Sequence, residues 1–406
     1  MKTFDIPDFY RSPLIAGVKQ RRKEGDRMKK DFSPTLLDFG PVRFYLARHF
    51  GFCYGVENAI EIAFRTVAEN PGKRIFLLSE MIHNPQVNAD LQSYGISFLM
   101  DTKGNTIIPY DELTGNDIVI IPAFGTTIET ENLLKQKGIA IEQYNTTCPF
   151  VEKVWNRAEN IAQKGFTVIV HGKPKHEETR ATFSHSAVHT PTLVVNDMNE
   201  AIIVGEYIKG NLSTEDFYQR FAGRYNEGFN PEIHLQKTGV VNQTTMLAED
   251  TQAIADYIKQ CMAEKYGEEH LTEHFADTRD TLCYATNDNQ TSVKALLETP
   301  ADLAIIVGGY NSSNTSHLVE LCEQKLPSFF INSADKIISK ESIQHFNLHT
   351  HSEQTTEHFL VPADGNHERP LNILITSGAS CPDALVEKVI YRLAGFFPGS
   401  GLNEGF

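Results

Sequence analysis

The hydrophobic residues of this chain fall into short unbroken runs that alternate with longer segments of helical periodicity. The runs are rich in Val and Ile and lie at residues 43–47, 75–78, 118–121, 167–170, 303–307 and 372–376. Apolar runs without polar alternation are typical of strands buried on both faces, which occur mainly in parallel sheets covered by helices. The pattern therefore predicts an α/β fold with mostly parallel sheets, whose sites lie beyond the carboxyl ends of the strands.

Two polar stretches interrupt this alternation. Residues 205–239 are polar and aromatic with Gly and Asn punctuation, which indicates an insertion. Residues 340–370 are also polar and hold five histidines. A solvated excursion is favoured over a metal site there, because the pair His349 and His351 lacks the further ligands that zinc requires.

Charge and composition exclude several classes of function. The formal net charge of −15 argues against nucleic acid as the main partner, because phosphate backbones bind basic surfaces. The apolar runs are far too short to span a bilayer. The first forty residues carry basic clusters mixed with acids, which resembles neither a secretory signal nor a transit peptide and predicts a solvated extension. The six cysteines then indicate a reducing compartment, and we expect a bacterial cytoplasmic protein.

Three cysteines stand at predicted junctions between a loop and a helix. Cys53 precedes the helical pattern at 56–68, and Cys148 precedes the one at 151–163. Cys283 precedes a third helix, predicted near residues 290–297. The N-terminus of a helix lowers a thiol's pKa and stabilises an anionic group. The three cysteines are therefore candidate metal ligands, although their wide separation matches no local zinc or ferredoxin motif.

Three thiolates on an iron–sulfur cluster would leave one iron open to substrate. The plainer interpretation, three unrelated buried cysteines, is the commoner fate of a free thiol and stays open on spacing alone. Cys261 and Cys322 fall inside helical patterns and are assigned to packing. Cys381 lies in a loop rich in small polar residues, so its role stays open.

Two loops between a predicted strand and a predicted helix have the composition of phosphate cradles. They are residues 308–316 and 377–382, rich in Gly, Ser and Asn. Such turns also cap helices in proteins that bind nothing. His83 and His176 follow apolar strands and are candidate donors to a diphosphate, although a lone histidine there is more often structural.

Two further residues have the chemistry of proton transfer. Glu178, two residues after His176, is a candidate proton source. Thr244, with Thr245 beside it, offers a hydroxyl that orders a substrate oxygen or simply caps the following helix.

Eight motifs occur in the order found in one enzyme family. They are Gly51-Phe-Cys-Tyr-Gly-Val-Glu57, Ile82-His-Asn84, Asn145-Thr-Thr-Cys-Pro149, His176-Glu-Glu-Thr179, Asn242-Gln-Thr-Thr245, Asp280-Thr-Leu-Cys-Tyr-Ala-Thr286, Asn311-Ser-Ser-Asn-Thr315 and Ser377-Gly-Ala-Ser-Cys-Pro-Asp383. On these residues the chain resembles the 4-hydroxy-3-methylbut-2-enyl diphosphate reductases, the IspH/LytB family of the non-mevalonate isoprenoid pathway, over roughly residues 42–393. Its long N-terminal part is similar to that of the longer cyanobacterial and plant branch.

The resemblance implies a trefoil of three α/β lobes around a central iron–sulfur site. We expect an N-terminal extension over residues 1–40 and a first lobe over 41–147. The second lobe is expected over 148–282, including the insertion at 205–239, and the third over 283–406.

The resemblance also implies the chemistry and the residues that perform it. One [4Fe-4S] cluster is expected on Cys53, Cys148 and Cys283, with Glu178 and Thr244 as the proton route to the substrate hydroxyl. The expected products are isopentenyl and dimethylallyl diphosphate. A ferredoxin or flavodoxin is the expected electron donor, with neither nucleic acid nor membrane as a partner. The diphosphate is expected on Thr244 and on the following side chains: His83, His176, Ser312, Ser313, Asn314 and Ser380.

The sequence departs from the family pattern at one position, and two other functions are considered as alternatives. Phe124 stands where many bacterial members have a histidine, so one expected anion contact is missing. A diphosphate-binding protein with a structural Zn²⁺ on its cysteines and one histidine would explain the phosphate loops but would leave Glu178 without a purpose. A thiol–disulfide enzyme fits less well, because no Cys-x-x-Cys pair is present.

Overall fold

A computed structural model describes residues 4–276, 281–362, 364–366 and 368–401. Asp280 of the third cysteine motif and His367 lie outside these residues. The described strands are β1 (Thr35–Asp38), β2 (Val42–Leu46), β3 (Ile75–Leu77), β4 (Ile96–Phe98), β5 (Ile118–Ile120), β6 (Thr167–His171), β7 (Thr192–Val195), β8 (Thr238–Asn242), β9 (Phe275–Ala276), β10 (Leu303–Val307), β11 (Ser328–Ile331), β12 (Ser342–Asn347), β13 (Ser352–Glu357) and β14 (Leu371–Ser377). Each predicted apolar run coincides with a strand.

The helices lie mostly between these strands, as the alternation predicts. Those described are α1 (Pro13–Gly25), α2 (Tyr54–Glu69), α3 (Pro85–Ser93), α4 (Ile128–Gln136), α5 (Pro149–Gln163), α6 (Glu177–Ala187), α7 (Met198–Lys209), α8 (Thr214–Arg220), α9 (Pro231–His234), α10 (Ala248–Tyr266), α11 (Leu271–His274), α12 (Tyr284–Leu296), α13 (Ser313–Glu323) and α14 (Asp383–Ala394). In the described residues no helix is long and apolar enough to cross a membrane.

The chain divides into two compact units. The first contains the residues up to Glu61, Ile82–Asp90 and the residues from Tyr284 on. Its 7-stranded sheet has the order β1-β2-β14-β10-β11-β12-β13. The four central strands pair in parallel, whereas β1, β12 and β13 pair antiparallel at the edges. Every residue of β10 is buried, as expected for a central parallel strand.

The second unit contains Ile62–Met81 and Leu91–Cys283 and holds two parallel sheets. One is 3-stranded with the order β4-β3-β5, and the other is 4-stranded with the order β7-β6-β8-β9. The strands β6 and β8 are buried throughout. The predicted α/β class with mostly parallel sheets is confirmed, whereas the expected lobe boundaries stay a prediction.

The N-terminal segment differs from the solvated extension that its charge indicates. Tyr10, Ile15 and Val18 are all buried, and β1 pairs with β2 within the first unit. The helix α1 packs on α14. Only a few apolar positions form its buried side, and the many charges on the opposite side mask them in the sequence.

The segment 205–239 also contributes to a core. Phe217, Phe221 and Phe229 are buried in one hydrophobic cluster of the second unit. Their burial explains why so polar a stretch carries so many aromatic residues.

The polar stretch at 340–370 contains the hairpin of β12 and β13. Most of β13 is exposed, in agreement with the predicted excursion. His345 packs edge-on against Phe329 with ring centroids 5.0 Å apart, whereas His349 and His351 are exposed. His345, His349 and His351 thus differ in environment, one being buried and two exposed.

The helix that follows Cys283 begins earlier than the sequence predicts. The helix α12 starts at Tyr284, not near residue 290. Residues 286–289 have low helix propensity, but Thr286 and Asn289 are buried there. Tertiary packing therefore overrides the local preference.

Candidate active site

The three predicted cysteine ligands all stand immediately before helices, as the sequence indicates. Cys53 precedes α2, and its carbonyl accepts the N–H of Glu57 at 2.9 Å. Cys148 caps α5 with its backbone, and its side chain makes no capping bond. Cys283 precedes α12. None of the three forms a disulfide, and all three are partly exposed.

Cys148 lies near a second candidate ligand and near a buried carboxylate of the second unit. Burial raises the pKa of the Cys148 thiol to about 11. Negative charge on Cys283 or Glu178 raises this pKa further, which places both groups near Cys148. A thiol in such surroundings stays protonated unless a cation replaces the proton, as iron or zinc does.

Glu178 and Thr244 form a buried, doubly hydrogen-bonded pair in this unit. The Thr244 N–H donates to Glu178 Oε1 at 2.6 Å, and its hydroxyl donates to Glu178 Oε2 at 3.0 Å. Glu178 is 1% exposed and Thr244 is 4% exposed. The Cys283 N–H donates to the Thr244 carbonyl at 3.3 Å. Hydrogen bonds therefore link the residues that carry a carboxyl group, a hydroxyl and a candidate metal ligand, although these residues are far apart in sequence.

His176 begins the helix that carries Glu178. Its Nδ1 accepts the Glu178 N–H at 3.2 Å, so in the neutral ring the proton lies on Nε2. Phe124 packs edge-on against this ring with centroids 5.5 Å apart. The phenylalanine that replaces an expected histidine thus supports His176 by packing and donates nothing itself.

The first unit brings His83 together with the two loops that have the composition of phosphate cradles. The Ser380 hydroxyl donates to the His83 carbonyl at 3.1 Å. A Cβ at Gly309 would lie 2.2 Å from the same carbonyl oxygen, so only glycine fits at that position. His83 and Ser380 are both buried.

Asn314 links the two loops. Its Oδ1 accepts the Ala379 N–H at 2.9 Å, while its buried Nδ2 has no hydrogen-bond partner among the described residues. Ser312 caps α13 by accepting the Thr315 N–H at 3.3 Å, and Ser313 is the first residue of that helix. A buried amide donor beside a helix N-terminus lacks only an acceptor, which a phosphate oxygen supplies.

The other three cysteines are buried. Cys261 and Cys322 lie inside α10 and α13, as expected from their helical patterns. Burial raises the pKa of Cys322 and of Cys381 to about 12. Cys381, whose role the sequence leaves open, is completely buried and therefore has the environment of a packing residue.

Gln243 and Thr281 are structural residues of the site that the sequence does not single out. Gln243 Oε1 accepts the Lys173 N–H at 3.1 Å and the Thr179 hydroxyl at 2.9 Å. Thr281 and Asn242 exchange hydrogen bonds between their side chains and backbones at 3.1 and 3.0 Å. These bonds fix the loops around Glu178 and Cys283. The only signal for them in the sequence is that each lies within one of the eight family motifs.

The described residues contain no group of three or more His, Cys, Asp or Glu side chains arranged as a metal site. Cys148 and Cys283 belong to the second unit, whereas Cys53 belongs to the first. The three-cysteine site therefore stays a prediction. Partly exposed cysteines at helix N-termini, none of them in a disulfide, nevertheless have the chemistry that an iron–sulfur cluster requires.

Comparison with known families and relatives gives one consistent result. The family model described as LytB protein matches residues 44–394. A 4-hydroxy-3-methylbut-2-enyl diphosphate reductase of Synechococcus sp. (strain WH7803) is 40% identical over 385 residues, which are 95% of this chain and 90% of that protein. The reductase of Prochlorococcus marinus (strain NATL1A) is 38% identical over 96% of this chain and 91% of its own length.

Two solved structures are similar in fold. The E-1-hydroxy-2-methyl-but-2-enyl-4-diphosphate reductase of Plasmodium falciparum matches with a TM-score of 0.61 and 21% identity, over 89% of this chain and 94% of that one. An (E)-4-hydroxy-3-methyl-but-2-enyl diphosphate reductase, described as the terminal enzyme of the non-mevalonate pathway, matches with a TM-score of 0.52 and 24% identity over 86% of this chain and 97% of that one. At such identities the likeness shows the fold, and it confirms the predicted fold class.

Proposed function

This chain belongs to the LytB family, and from that premise we propose that it reductively removes the hydroxyl group of 4-hydroxy-3-methylbut-2-enyl diphosphate. The products are isopentenyl and dimethylallyl diphosphate, in the last step of the non-mevalonate pathway. The reaction breaks the C–O bond, consumes two electrons and two protons, and releases water. One proton goes to the leaving oxygen and the other to carbon.

The proposed cofactor is one [4Fe-4S] cluster held by Cys53, Cys148 and Cys283. When bound, it would supply single electrons and one iron without a protein ligand to act as a Lewis acid. The support for this ligand set is that each cysteine stands at a helix N-terminus, is partly exposed and forms no disulfide. The proximity of Cys148 to Cys283 in the second unit agrees with a shared role.

The observation that best supports the mechanism is the contact of Glu178 with Thr244. Hydroxide is a poor leaving group, so a proton must reach the departing oxygen. In this proposal Glu178 holds that proton and the Thr244 hydroxyl relays it to the substrate. A positioned general acid contributes about 10²–10⁴-fold to a rate.

Binding of the diphosphate is proposed for two sets of side chains. Within the first unit these are His83, Ser312, Ser313, Asn314 and Ser380, and within the second they are His176 and Thr244. The unpartnered Nδ2 of Asn314 supports the first set. Hydrogen bonds to a remote diphosphate would fix the position of the reacting end of the substrate, so that binding energy assists the chemistry.

An electron carrier such as a ferredoxin or flavodoxin would complete the reaction. A reducing compartment such as the bacterial cytoplasm is proposed for the protein. Its support is that none of the six cysteines forms a disulfide.

The test is anaerobic turnover of the purified protein with 4-hydroxy-3-methylbut-2-enyl diphosphate and a chemical reductant. We expect a brown protein that contains iron and acid-labile sulfide and forms both isopentenyl and dimethylallyl diphosphate. A colourless, zinc-loaded protein without turnover would instead support the structural zinc site.

A further inference from the structure

A basic cleft of the first unit lies beside Cys53. Its volume is about 360 Å³. Lys23, Arg27, Lys29 and Arg48 line it, and Cys53 forms part of the same wall. The cleft therefore joins a concentration of positive charge to a candidate cluster ligand.

The positive charge of this cleft contrasts with the rest of the chain. The formal net charge is −15, yet seven of the twelve residues 19–30 are Lys or Arg and only two are acidic. Lys23, Arg27 and Lys29 are exposed, and none of them has an ion-pair partner among the described residues. A local basic surface on an acidic protein attracts an acidic partner and orients it as it approaches.

The basic residues are held in a fixed turn. The Asp26 carboxylate accepts the N–H groups of Lys30 at 3.2 Å and Asp31 at 2.9 Å, and Lys29 has the left-handed φ of 53°. Asp26 also lies 3.9 Å from the guanidinium of the buried Arg48, whose Nε has no hydrogen-bond partner among the described residues. The turn is therefore pre-organised, which reduces the entropic cost of binding a partner.

Exposed apolar and aromatic groups accompany the charge. Met28, between Arg27 and Lys29, is 74% exposed. Tyr54, next to Cys53, and Tyr284, in the wall of the cleft, are 36% and 39% exposed. The Tyr284 hydroxyl accepts the Tyr54 N–H at 3.3 Å. Met, Tyr and Arg are enriched in protein interfaces, whereas a site for a small inorganic anion needs no such rim.

We propose that this basic cleft is the docking surface for a small acidic electron-transfer protein that delivers electrons beside Cys53. The inference rests on the proposed function, which requires two electrons in each turnover. The carrier loses one electron in each encounter, so two encounters supply one reaction. Small interfaces and rapid, charge-steered association are typical of such transient complexes.

The test compares two charge-reversal variants of the cluster-loaded protein. The cleft variant carries Lys23→Glu, Arg27→Glu and Lys29→Glu. The matched control carries Lys73→Glu, Lys237→Glu and Lys325→Glu, three exposed lysines outside the cleft with the same total change of charge. The dissociation constant for a reduced, acidic [2Fe-2S] ferredoxin is measured anaerobically at low and high ionic strength.

We expect the cleft variant to bind ferredoxin at least about tenfold more weakly at low ionic strength. Wild-type binding should weaken with added salt, and the control should retain both its affinity and its salt dependence. Turnover with photoreduced deazaflavin, an uncharged reductant, should be equal in all three proteins. Absence of that turnover in the wild type would contradict the proposed function, whereas the binding constants test the docking surface independently.

Equal ferredoxin affinity of the cleft variant and the control would overturn the proposal. A titration with inorganic pyrophosphate tests whether the cleft instead binds a small anion. Loss of pyrophosphate binding in the cleft variant, with unchanged ferredoxin binding, would also overturn the proposal and identify a small-anion site.

Discussion

The two units present their candidate cluster ligands in opposite environments. In the second unit, Cys148 lies near Glu178, and burial raises the pKa of its thiol. In the first unit, Cys53 lies in the wall of a cleft lined by Lys and Arg. One environment is acidic and closely hydrogen-bonded, and the other is basic and open to solvent.

This difference suggests a division of labour. Proton transfer requires a buried acid with a fixed partner, and the pair of Glu178 and Thr244 meets that requirement in the second unit. Electron delivery requires access for a partner, which the basic cleft of the first unit offers. Changes in the two units should therefore affect different steps.

The largest effect is expected from the cysteines themselves, since they are common to both environments. Cys53→Ser and Cys148→Ser should each lose most of the bound iron and with it nearly all turnover. Iron, sulfide and turnover are measured on anaerobically prepared protein. Cys261→Ser changes a buried thiol in the core of the second unit and should retain its iron.

An effect confined to proton transfer is expected from Glu178→Gln. The amide has the same shape but carries no transferable proton, so kcat should fall by about 10²–10⁴-fold. The absorbance of the cluster and the substrate dissociation constant should stay near the wild-type values. Glu177→Gln alters the buried neighbour, whose carboxylate accepts the Ser79 hydroxyl, and serves as the control. Wild-type kcat in Glu178→Gln would exclude this residue as the acid.

Two substitutions of Thr244 separate its role in proton transfer from its role in packing. Thr244→Val keeps the shape and removes the hydroxyl that donates to Glu178, so kcat should fall by about 10–100-fold. Thr244→Ser restores a hydroxyl and should recover most of that loss. Equal kcat values for the Val and Ser variants would show that the hydroxyl carries no proton.

The smallest effect is expected in the diphosphate loops of the first unit. Ser380→Ala removes one hydroxyl donor, which should raise KM by about tenfold with little change in kcat. Ser342→Ala, in the exposed hairpin, removes a hydroxyl that donates to Glu357 and should change neither constant. A fall in kcat without a rise in KM would contradict a role for Ser380 in binding.

The pattern of apolar residues predicts the strands well. The candidate site residues, by contrast, are identified only through family resemblance. Unbroken runs such as β10 identify buried parallel strands, because burial on both faces removes alternation. The contact between Glu178 and Thr244 joins residues 66 positions apart, and no local pattern encodes it. The family motifs identify both residues, but only the folded structure shows the hydrogen bonds between them.

Two failures of the sequence interpretation have a common physical cause. The start of α12 and the burial of α1 both depend on tertiary packing, which local composition does not report. Thr286 and Asn289 are poor helix formers but are buried in α12. Ile15 and Val18 are too few to reveal a buried side among so many charges. The basic run at residues 19–30 is visible in the sequence, but its position beside Cys53 and Tyr284 also depends on the folded chain.

The three-cysteine cluster site is tested most directly by a crystal structure of the anaerobically loaded protein, with iron located by anomalous scattering. We expect one four-iron cluster bonded to the Sγ atoms of Cys53, Cys148 and Cys283, with the fourth iron bonded to no protein side chain. Zinc at these thiols, or a cluster that lacks a bond to any one of the three sulfurs, would rule out this ligand set.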